Sequence, residues 1–187
     1  WCRNLGIKEL TLYAFSVENF DRPKYEFNYL MNLFRKEFNE FKDDPRLKFT
    51  RVNFIGRIWM FPKDIQKMMH EIMNKTKNNK KFILNFAMAY GGRAEIIDAV
   101  NKIASNIRNN KLNNKINEEI FSKNLYINSE PDLIIRTSGE QRTSGFLLWQ
   151  GAYAEWYFCK KYWQEFTKRD LMKALISYQN RERRFGR

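Results

Sequence analysis

Short apolar runs alternate along the chain with longer stretches in which apolar residues recur at helical spacing. Five runs rich in β-branched and aromatic residues predict strands at 10–16, 51–56, 82–90, 133–137 and 146–150. Helical spacing predicts helices over 23–42, 62–77, 94–107 and 168–178. The first two begin at a proline, which suits the first turn of a helix. The segment 109–119 is rich in Asn and Lys and predicts a solvated loop or a frayed helix end.

This alternation predicts an α/β fold with a mostly parallel central sheet flanked by helices. The chain has 187 residues, 43% of them hydrophobic, which suffices to build the core of a single domain over residues 1–187. Its longest apolar runs are shorter than the roughly 18 to 20 residues that cross a bilayer. We therefore expect a soluble or peripheral protein.

The charge balance narrows the classes of partner. The chain has 34 basic and 21 acidic residues, a net charge of +13, which attracts nucleic acid, an acidic membrane face or phosphorylated small molecules. Cys2 and Cys159 are the two cysteines, so a disulfide scaffold and a cysteine metal cluster are excluded. Neither has an activating base nearby in the sequence. His70, the sole histidine, is predicted to lie on an exposed helix surface.

Polar residues follow three of the predicted strands. In a parallel sheet, ligands bind beyond the carboxyl ends of the strands. Arginine forms bidentate bonds to phosphate oxygens, and small residues let backbone N–H groups approach the same ligand. A glycine pair alone indicates only a turn. The three strand ends therefore predict a phosphate or diphosphate ester site. The residues are Ser16, Glu18, Asn19 and Arg22 at the end of the 10–16 strand, Gly91, Gly92 and Arg93 after the 82–90 strand, and Arg136, Arg142 and Ser144 at the end of the 133–137 strand.

Glu155 is a lone carboxylate in the apolar stretch 146–158. A buried acid is costly unless it is paired, protonated or bound to a metal. Two interpretations follow. Glu155 either binds a hard cation such as Mg²⁺ together with substrate phosphates, or forms a structural ion pair with an arginine.

Five motifs together resemble the cis-prenyltransferase family, which includes undecaprenyl diphosphate synthase and dehydrodolichyl diphosphate synthase. They are TLYAFSVENFDRP at 11–23, YGGR at 90–93, IRTSGEQR at 135–142, FLLWQGAYAEWYF at 146–158 and RERRFG at 181–186. The resemblance implies an Mg²⁺-dependent polyprenyl diphosphate synthase. Such an enzyme adds isopentenyl diphosphate repeatedly to an allylic diphosphate such as farnesyl diphosphate, creating cis double bonds and releasing diphosphate.

The resemblance also implies roles for individual residues. Glu155 would help bind Mg²⁺, and Ala14 would line a tunnel for the growing chain with apolar residues of the sheet and the 23–42 helix. Arg184 and Gly186 match an Arg-x-Gly element that reaches into the partner subunit's site, which implies a homodimer. Isopentenyl diphosphate would be held by Arg136, Arg142 and Ser144, and the catalytic site between the substrates would be shaped by Ser16, Glu18, Asn19 and Arg22.

Two departures from the family pattern stand out. The family begins with a strand and a loop of the type Asp-Gly-Asn-Gly-Arg-Trp, whose aspartate is central to catalysis and metal binding, and this sequence has no such motif. We therefore expect a domain that is incomplete at its N-terminus. A chain that lacks this loop altogether would bind the second substrate, isopentenyl diphosphate, without turning it over. Gly145 stands where the family usually has Asn.

Three functions stay open. The first is the cis-prenyltransferase, and the second is a non-catalytic partner subunit of a heteromeric prenyltransferase, which the missing loop would favour. The third, a nucleic-acid binder, follows from charge alone, and since no nucleic-acid motif occurs we expect no such partner. The enzyme is expected in the cytoplasm or peripherally on the endoplasmic reticulum, contacting the membrane through a dolichol-type product, with organelle targeting left open.

Overall fold

Strands and helices alternate in the structure, a computed structural model in which residues 1–112 and 115–182 are described. The strands are β1 Glu9–Ser16, β2 Thr50–Ile55, β3 Phe82–Tyr90, β4 Leu133–Arg136 and β5 Glu155–Phe158. The helices are α1 Lys24–Phe41, α2 Lys63–Thr76, α3 Gly92–Arg108, α4 Glu118–Ser122 and α5 Lys168–Gln179. The chain divides into two units, Trp1–Gly91 and a second that begins at Gly92.

The first unit contains a three-stranded parallel sheet in the order β1-β3-β2. One row of polar residues crosses all three strands, because Thr11 and Asn53 both pair with Asn85. The buried Asn85 side chain donates to Thr11 Oγ1 at 3.1 Å and accepts from Asn53 Nδ2 at 2.7 Å. A slip of one residue would leave these buried amide groups unpaired, so the row favours this register.

Helices α1 and α2 cover one face of this sheet with an aromatic core. Phe15 on β1 lies with its ring centroid 5.7 Å from that of Phe34 on α1 and 5.3 Å from that of Phe61. The predicted apolar faces of both helices belong to this core, to which α1 contributes Met31 and Phe38 and α2 contributes Ile65 and Met69. Ala14, which the sequence suggested as a tunnel wall, is exposed beside a register shift in β1 between Tyr13 and Phe15.

The second unit contains the parallel pair β4 and β5. Both sheets are parallel throughout their described pairings, which confirms the α/β class. The strand predicted at 146–150 is wrong, because this segment forms turns in which Leu147 has a φ of +44° and its carbonyl accepts from Gly151 N at 2.7 Å. The strand lies instead at Glu155–Phe158. Helix α4 falls at the end of the predicted loop 109–119.

In the described ranges, no helix is both long enough and apolar enough to cross a membrane.

Candidate active site

The turn that joins β1 to α1 brings together the four residues predicted to shape the catalytic site. Asn19 Oδ1 accepts from Ser16 N at 2.8 Å and closes the 3₁₀ turn Val17–Asp21 directly after β1. Glu18 is exposed in this turn. Arg22 follows it and donates from a terminal nitrogen to Glu26 Oε2 at 3.2 Å in the first turn of α1. Their side chains thus lie at the carboxyl end of β1, as expected.

Tyr13 is a functional candidate that the sequence analysis missed. Its hydroxyl donates to the Tyr90 carbonyl at 3.2 Å, and the two rings meet edge to face with centroids 5.7 Å apart. Tyr13 is 37% exposed, and burial of the rest of its side chain, together with the negative charge of Glu18, raises its pKa to about 12, although a hydrogen bond with Ser16 opposes the shift. Tyr13 is therefore a neutral donor that ties the end of β1 to the end of β3. The sequence could have pointed to Tyr13 through its position in the same motif as Ser16, three residues before that serine.

The ends of β2 and β3 meet without room for a side chain. Gly56 has a φ of +119°, and a Cβ there would lie 2.2 Å from the Met88 carbonyl oxygen. Ala89 is fully buried with a φ of +49°, and its carbonyl accepts from Arg57 N at 3.1 Å. Such a left-handed conformation costs free energy in a residue other than glycine. Backbone strain is thus stored at the carboxyl edge of the first unit's sheet.

In the second unit, the loop after β4 brings together the three residues predicted to bind isopentenyl diphosphate. Arg136, the last residue of β4, donates from one terminal nitrogen to Ser144 Oγ at 2.9 Å and to the Arg142 carbonyl. The Arg142 guanidinium is 62% exposed and pairs with Glu140. The loop therefore encloses part of Arg136 and presents Arg142 to solvent.

The same loop turns sharply at two serine-glycine pairs. Ser138 and Gly139 have φ values of +75° and +77°, and Ser144 and Gly145 have values of +47° and +73°. The first pair is held by hydrogen bonds from Ser138 N to the Lys161 carbonyl at 2.7 Å and from Gly139 N to the Cys159 carbonyl at 2.9 Å. These bonds tie the loop to the segment after β5.

Gly145 explains one departure from the family pattern. Left-handed backbone is adopted readily by glycine and more often by asparagine than by most other residues. Glycine at this position therefore preserves the turn that asparagine would make. The Gly145 carbonyl accepts from Gly92 N at 2.8 Å, and a Cβ on Gly92 would lie 2.4 Å from that oxygen. The second glycine of the YGGR motif thus permits a close backbone approach, as well as a turn.

Arg136 retains a buried donor, because its Nε has no hydrogen-bond partner within the described residues. An unpaired buried N–H group costs free energy and is uncommon in folded proteins. The arginine that organises this loop is therefore only partly satisfied by the protein itself.

Glu155, the predicted Mg²⁺ ligand, begins β5 and forms an ion pair with Arg181. Its side chain is 27% exposed. This is the ion-pair interpretation that the sequence left open. No group of three or more His, Cys, Asp and Glu side chains suitable for a metal occurs in the described ranges 1–112 and 115–182. Glu155 suits Mg²⁺ as a single protein carboxylate, since this ion often takes its other ligands from water and substrate phosphates.

Glu95 is a buried acid that the sequence analysis did not single out. Its Oε1 accepts from Gln150 Nε2 at 3.0 Å and from Tyr126 N at 2.9 Å. These bonds attach the segment after Gly145 to the first turn of α3. The sequence did indicate that Glu95 is buried, because it shares the buried face of α3 with Ala99 and Ile103 at intervals of four residues.

The histidine, the two cysteines and the C-terminal motif are the remaining predicted residues. His70 is exposed, as predicted, and Cys2 and Cys159 are half-buried free thiols. Arg184 and Gly186 lie outside the described residues. Burial raises the pKa of the Cys2 thiol, which does not favour a reactive thiolate.

Sequence comparison gives the family. The profile of the prenyltransferase family described as undecaprenyl diphosphate synthase matches residues 1–186. The geranylgeranyl-diphosphate-specific tritrans,polycis-undecaprenyl-diphosphate synthase of Methanocaldococcus jannaschii is 49% identical, and the match covers 100% of this chain and 69% of that protein. An isoprenyl transferase of Thermotoga maritima is 46% identical, with 100% of this chain and 80% of that protein covered.

Two solved structures have the same fold. A probable undecaprenyl diphosphate synthase from Campylobacter jejuni has a TM-score of 0.89 at 33% identity, covering 100% of this chain and 86% of that one. Lavandulyl diphosphate synthase from Lavandula x intermedia, in complex with dimethylallyl diphosphate, has a TM-score of 0.90 at 36% identity. The match covers 99% of this chain and 81% of that one. These matches confirm the cis-prenyl chain elongation that the motifs imply, and the chain belongs to the undecaprenyl diphosphate synthase family.

Proposed function

We propose that this enzyme holds isopentenyl diphosphate in the loop after β4 and joins it to an allylic diphosphate. The observation that carries the proposal is the joint placement of Arg136, Arg142 and Ser144 by the hydrogen bonds of Arg136. Charge-assisted bonds from a guanidinium to phosphate are among the strongest in proteins. The exposed guanidinium of Arg142 can exchange Glu140 for a diphosphate, while Arg136 keeps the loop in shape.

The reaction itself calls for stabilisation of negative charge. An allylic diphosphate that ionises develops negative charge on the leaving diphosphate and positive charge on the hydrocarbon, which the double bond of isopentenyl diphosphate then attacks. Preorganised donors stabilise such charge best, because they need no rearrangement as it develops. In this proposal Arg22 supplies a cation, and Ser16 and Asn19 fix the turn that carries it, with Glu18 beside them.

Mg²⁺ is the proposed cofactor, and Glu155 is the residue of this chain that would help to bind it. When bound, the ion neutralises diphosphate charge and so assists departure of the leaving group. Glu155 is accessible enough to exchange its Arg181 partner for a cation, since a partly exposed ion pair of this kind contributes only about 0–1 kcal/mol.

The starter is proposed to be farnesyl or geranylgeranyl diphosphate. The motifs alone suggest an allylic diphosphate such as farnesyl, and the archaeal relative is named for geranylgeranyl diphosphate. The two starters differ by one prenyl unit, so relative kcat/KM values separate them.

The assembly and location belong to the same proposal. We propose a homodimer in which Arg184 and Gly186 act across subunits, with a dolichol-type product and a place in the cytoplasm or at the endoplasmic reticulum surface. The missing Asp-Gly-Asn-Gly-Arg-Trp loop is the feature that would favour a non-catalytic partner subunit. The arginines and the glutamate expected of a catalytic subunit are present, and they favour the enzyme.

Isopentenyl diphosphate binding tests the site. We expect Arg142→Ala to raise the Kd measured by calorimetry about 10- to 100-fold, the loss of one charge-assisted hydrogen bond worth about 1.5–3 kcal/mol. Arg108→Ala removes an exposed arginine at the end of α3 and serves as the matched control, with an unchanged Kd. Equal Kd values for Arg142→Ala and the unmodified protein would contradict the assignment.

A further inference from the structure

The amino ends of β1, β2 and β3 carry most of the net charge of the first unit. We define the amino-edge face as residues 1–9, 40–51 and 75–82, which flank the starts of these strands and the ends of α1 and α2. It contains ten Lys and Arg residues against four acidic residues. The rest of the first unit contains seven basic and six acidic residues. The positive charge is thus concentrated at the edge opposite the turn that carries Ser16 and Asn19.

Hydrogen bonds join the three segments into one continuous surface. Arg3 donates from a terminal nitrogen to the Arg46 carbonyl at 3.2 Å, which links the first segment to the second. Asn79 Nδ2 donates to the Thr50 carbonyl at 3.0 Å, which links the third segment to the second. The charges therefore act together on any partner that approaches this edge.

Most of these cations are available to a partner. Asp44 pairs with Arg46, and Asp43 lies 3.0 Å from Lys75 Nζ. Lys77 and Lys80 are exposed, and neither forms an ion pair in the part of the chain that the structure describes. A negatively charged partner thus meets lysines whose charge is not neutralised by an ion pair within the described part of this protein.

An exposed aromatic ring lies beside two of these cations. Phe49 is 44% exposed, and the Lys81 and Lys48 amino groups lie 4.5 Å and 5.5 Å from its ring centroid. Exposed aromatic rings among basic residues are typical of proteins that lie on a membrane interface, where the ring enters the headgroup region and the cations contact lipid phosphates.

We propose that the amino-edge face docks on an anionic lipid bilayer. A cleft of about 280 Å³ opens on this face, lined by Lys48 together with Lys75 and Asp44. Lys75 is paired with Asp43 and Asp44 with Arg46, so Lys48 is the lining cation that offers an amino group to a lipid phosphate. The choice of a bilayer rests on the proposed function in one respect, since a polyprenyl product is strongly apolar and partitions into lipid. The docking itself requires no turnover.

Vesicle sedimentation with the full chain and no substrate tests this docking. The vesicles are phosphatidylcholine alone, or phosphatidylcholine with roughly a third phosphatidylserine. We expect binding to the anionic vesicles, loss of that binding at high salt, and a drop of about tenfold or more in the partition coefficient of Lys48→Glu/Lys77→Glu/Lys80→Glu. Phe49→Ala should bind several-fold more weakly.

A matched triple variant separates this face from net charge. Lys36→Glu/Lys63→Glu/Lys67→Glu changes the total charge by the same amount on exposed positions of α1 and α2 outside the amino-edge face, and it should keep most of the binding. Equal losses in the two triple variants would overturn the assignment to this face. So would the absence of anionic vesicle binding, or binding of duplex RNA in place of vesicles.

Prenyl transfer in detergent is the independent readout. All of the substituted positions lie outside the proposed catalytic and binding residues, so we expect unchanged turnover with soluble substrates. Vesicle binding by a protein without turnover would contradict the proposed function and leave the docking intact. Turnover without vesicle binding would overturn the docking alone.

Discussion

Arg136 and Arg142 lie in one loop and have different structural surroundings. Arg136 donates to Ser144 Oγ and to the Arg142 carbonyl, so its guanidinium maintains the loop. Arg142 extends a largely exposed guanidinium. At the scale of single residues, the proposed site therefore separates an arginine that organises the loop from one that is ready to exchange its partner.

Glu155 offers a test that distinguishes a metal ligand from a structural ion pair. If Glu155 binds Mg²⁺, Glu155→Gln should raise the Mg²⁺ concentration for half-maximal turnover about tenfold or more, because the ion loses its protein carboxylate. Arg181→Gln is the matched control, since it breaks the same ion pair and keeps the carboxylate. Identical Mg²⁺ dependence in Glu155→Gln and the unmodified enzyme would leave Glu155 with only the ion-pair role.

The raised pKa of Tyr13 leads us to expect that the folded protein loses stability in alkali. Burial and the negative charge of Glu18 raise its folded-state pKa to about 12, above the value of about 10 for an unfolded tyrosine. The folded state thus holds this proton more tightly, so the stabilising contribution is complete below about pH 10 and is lost as the pH rises through about 12.

We expect Tyr13→Phe to reduce the fall in unfolding free energy between about pH 10 and 12, measured by urea denaturation. Tyr25 is 73% exposed on α1, so Tyr25→Phe should leave that fall unchanged. Equal pH dependence for Tyr13→Phe and the unmodified chain would show that Tyr13 does not titrate as described.

At the scale of elements, the contact between α3 and the loop after β4 depends on a glycine. A Cβ at Gly92 would lie 2.4 Å from the Gly145 carbonyl oxygen and 2.7 Å from Leu148 Cγ. We expect Gly92→Ala to lower the unfolding free energy by about 1–3 kcal/mol through overpacking, and to weaken isopentenyl diphosphate binding as the loop shifts. Urea denaturation and calorimetry measure the two effects.

Lys102→Ala is the matched substitution, on an exposed position of the same helix, and should change neither quantity. A Gly92→Ala protein with unaltered stability would mean that the loop accommodates the methyl group at no cost.

Elements with a plain periodicity could be predicted from the sequence closely. The strand expected at 82–90 is β3, and helices α1 and α2 begin directly after Pro23 and Pro62, as the position of proline in a first turn suggests. The segment 146–150 has the composition of a strand, and yet Leu147 takes a left-handed conformation that apolar patterning does not report. Local backbone geometry of this kind is set by tertiary contacts.

The motifs of the candidate site could be predicted from the sequence. The residues whose hydrogen bonds hold those motifs in place could be predicted only in part. Arginine and serine after the strands indicated phosphate chemistry without any structure. Glu95 and Gln150 were missed because a single acid on an apolar helix face does not show which donors from distant segments will meet it. Tyr13 was missed for a similar reason, since its partner is a backbone carbonyl 77 residues away.

At the scale of the whole molecule, residues assigned to the reaction occur in both units, Ser16 to Arg22 in the first and Arg136 to Glu155 in the second. The net charge of +13 is consistent with a chain whose substrates and proposed membrane surface are anionic.

Incorporation of labelled isopentenyl diphosphate into butanol-extractable product tests whether this chain catalyses prenyl chain elongation. We expect labelled polyprenyl product that requires both Mg²⁺ and an allylic starter, farnesyl or geranylgeranyl diphosphate, and that is lost when either is omitted. A folded protein that binds isopentenyl diphosphate and forms no product with either starter would contradict the assignment of chain elongation to this chain.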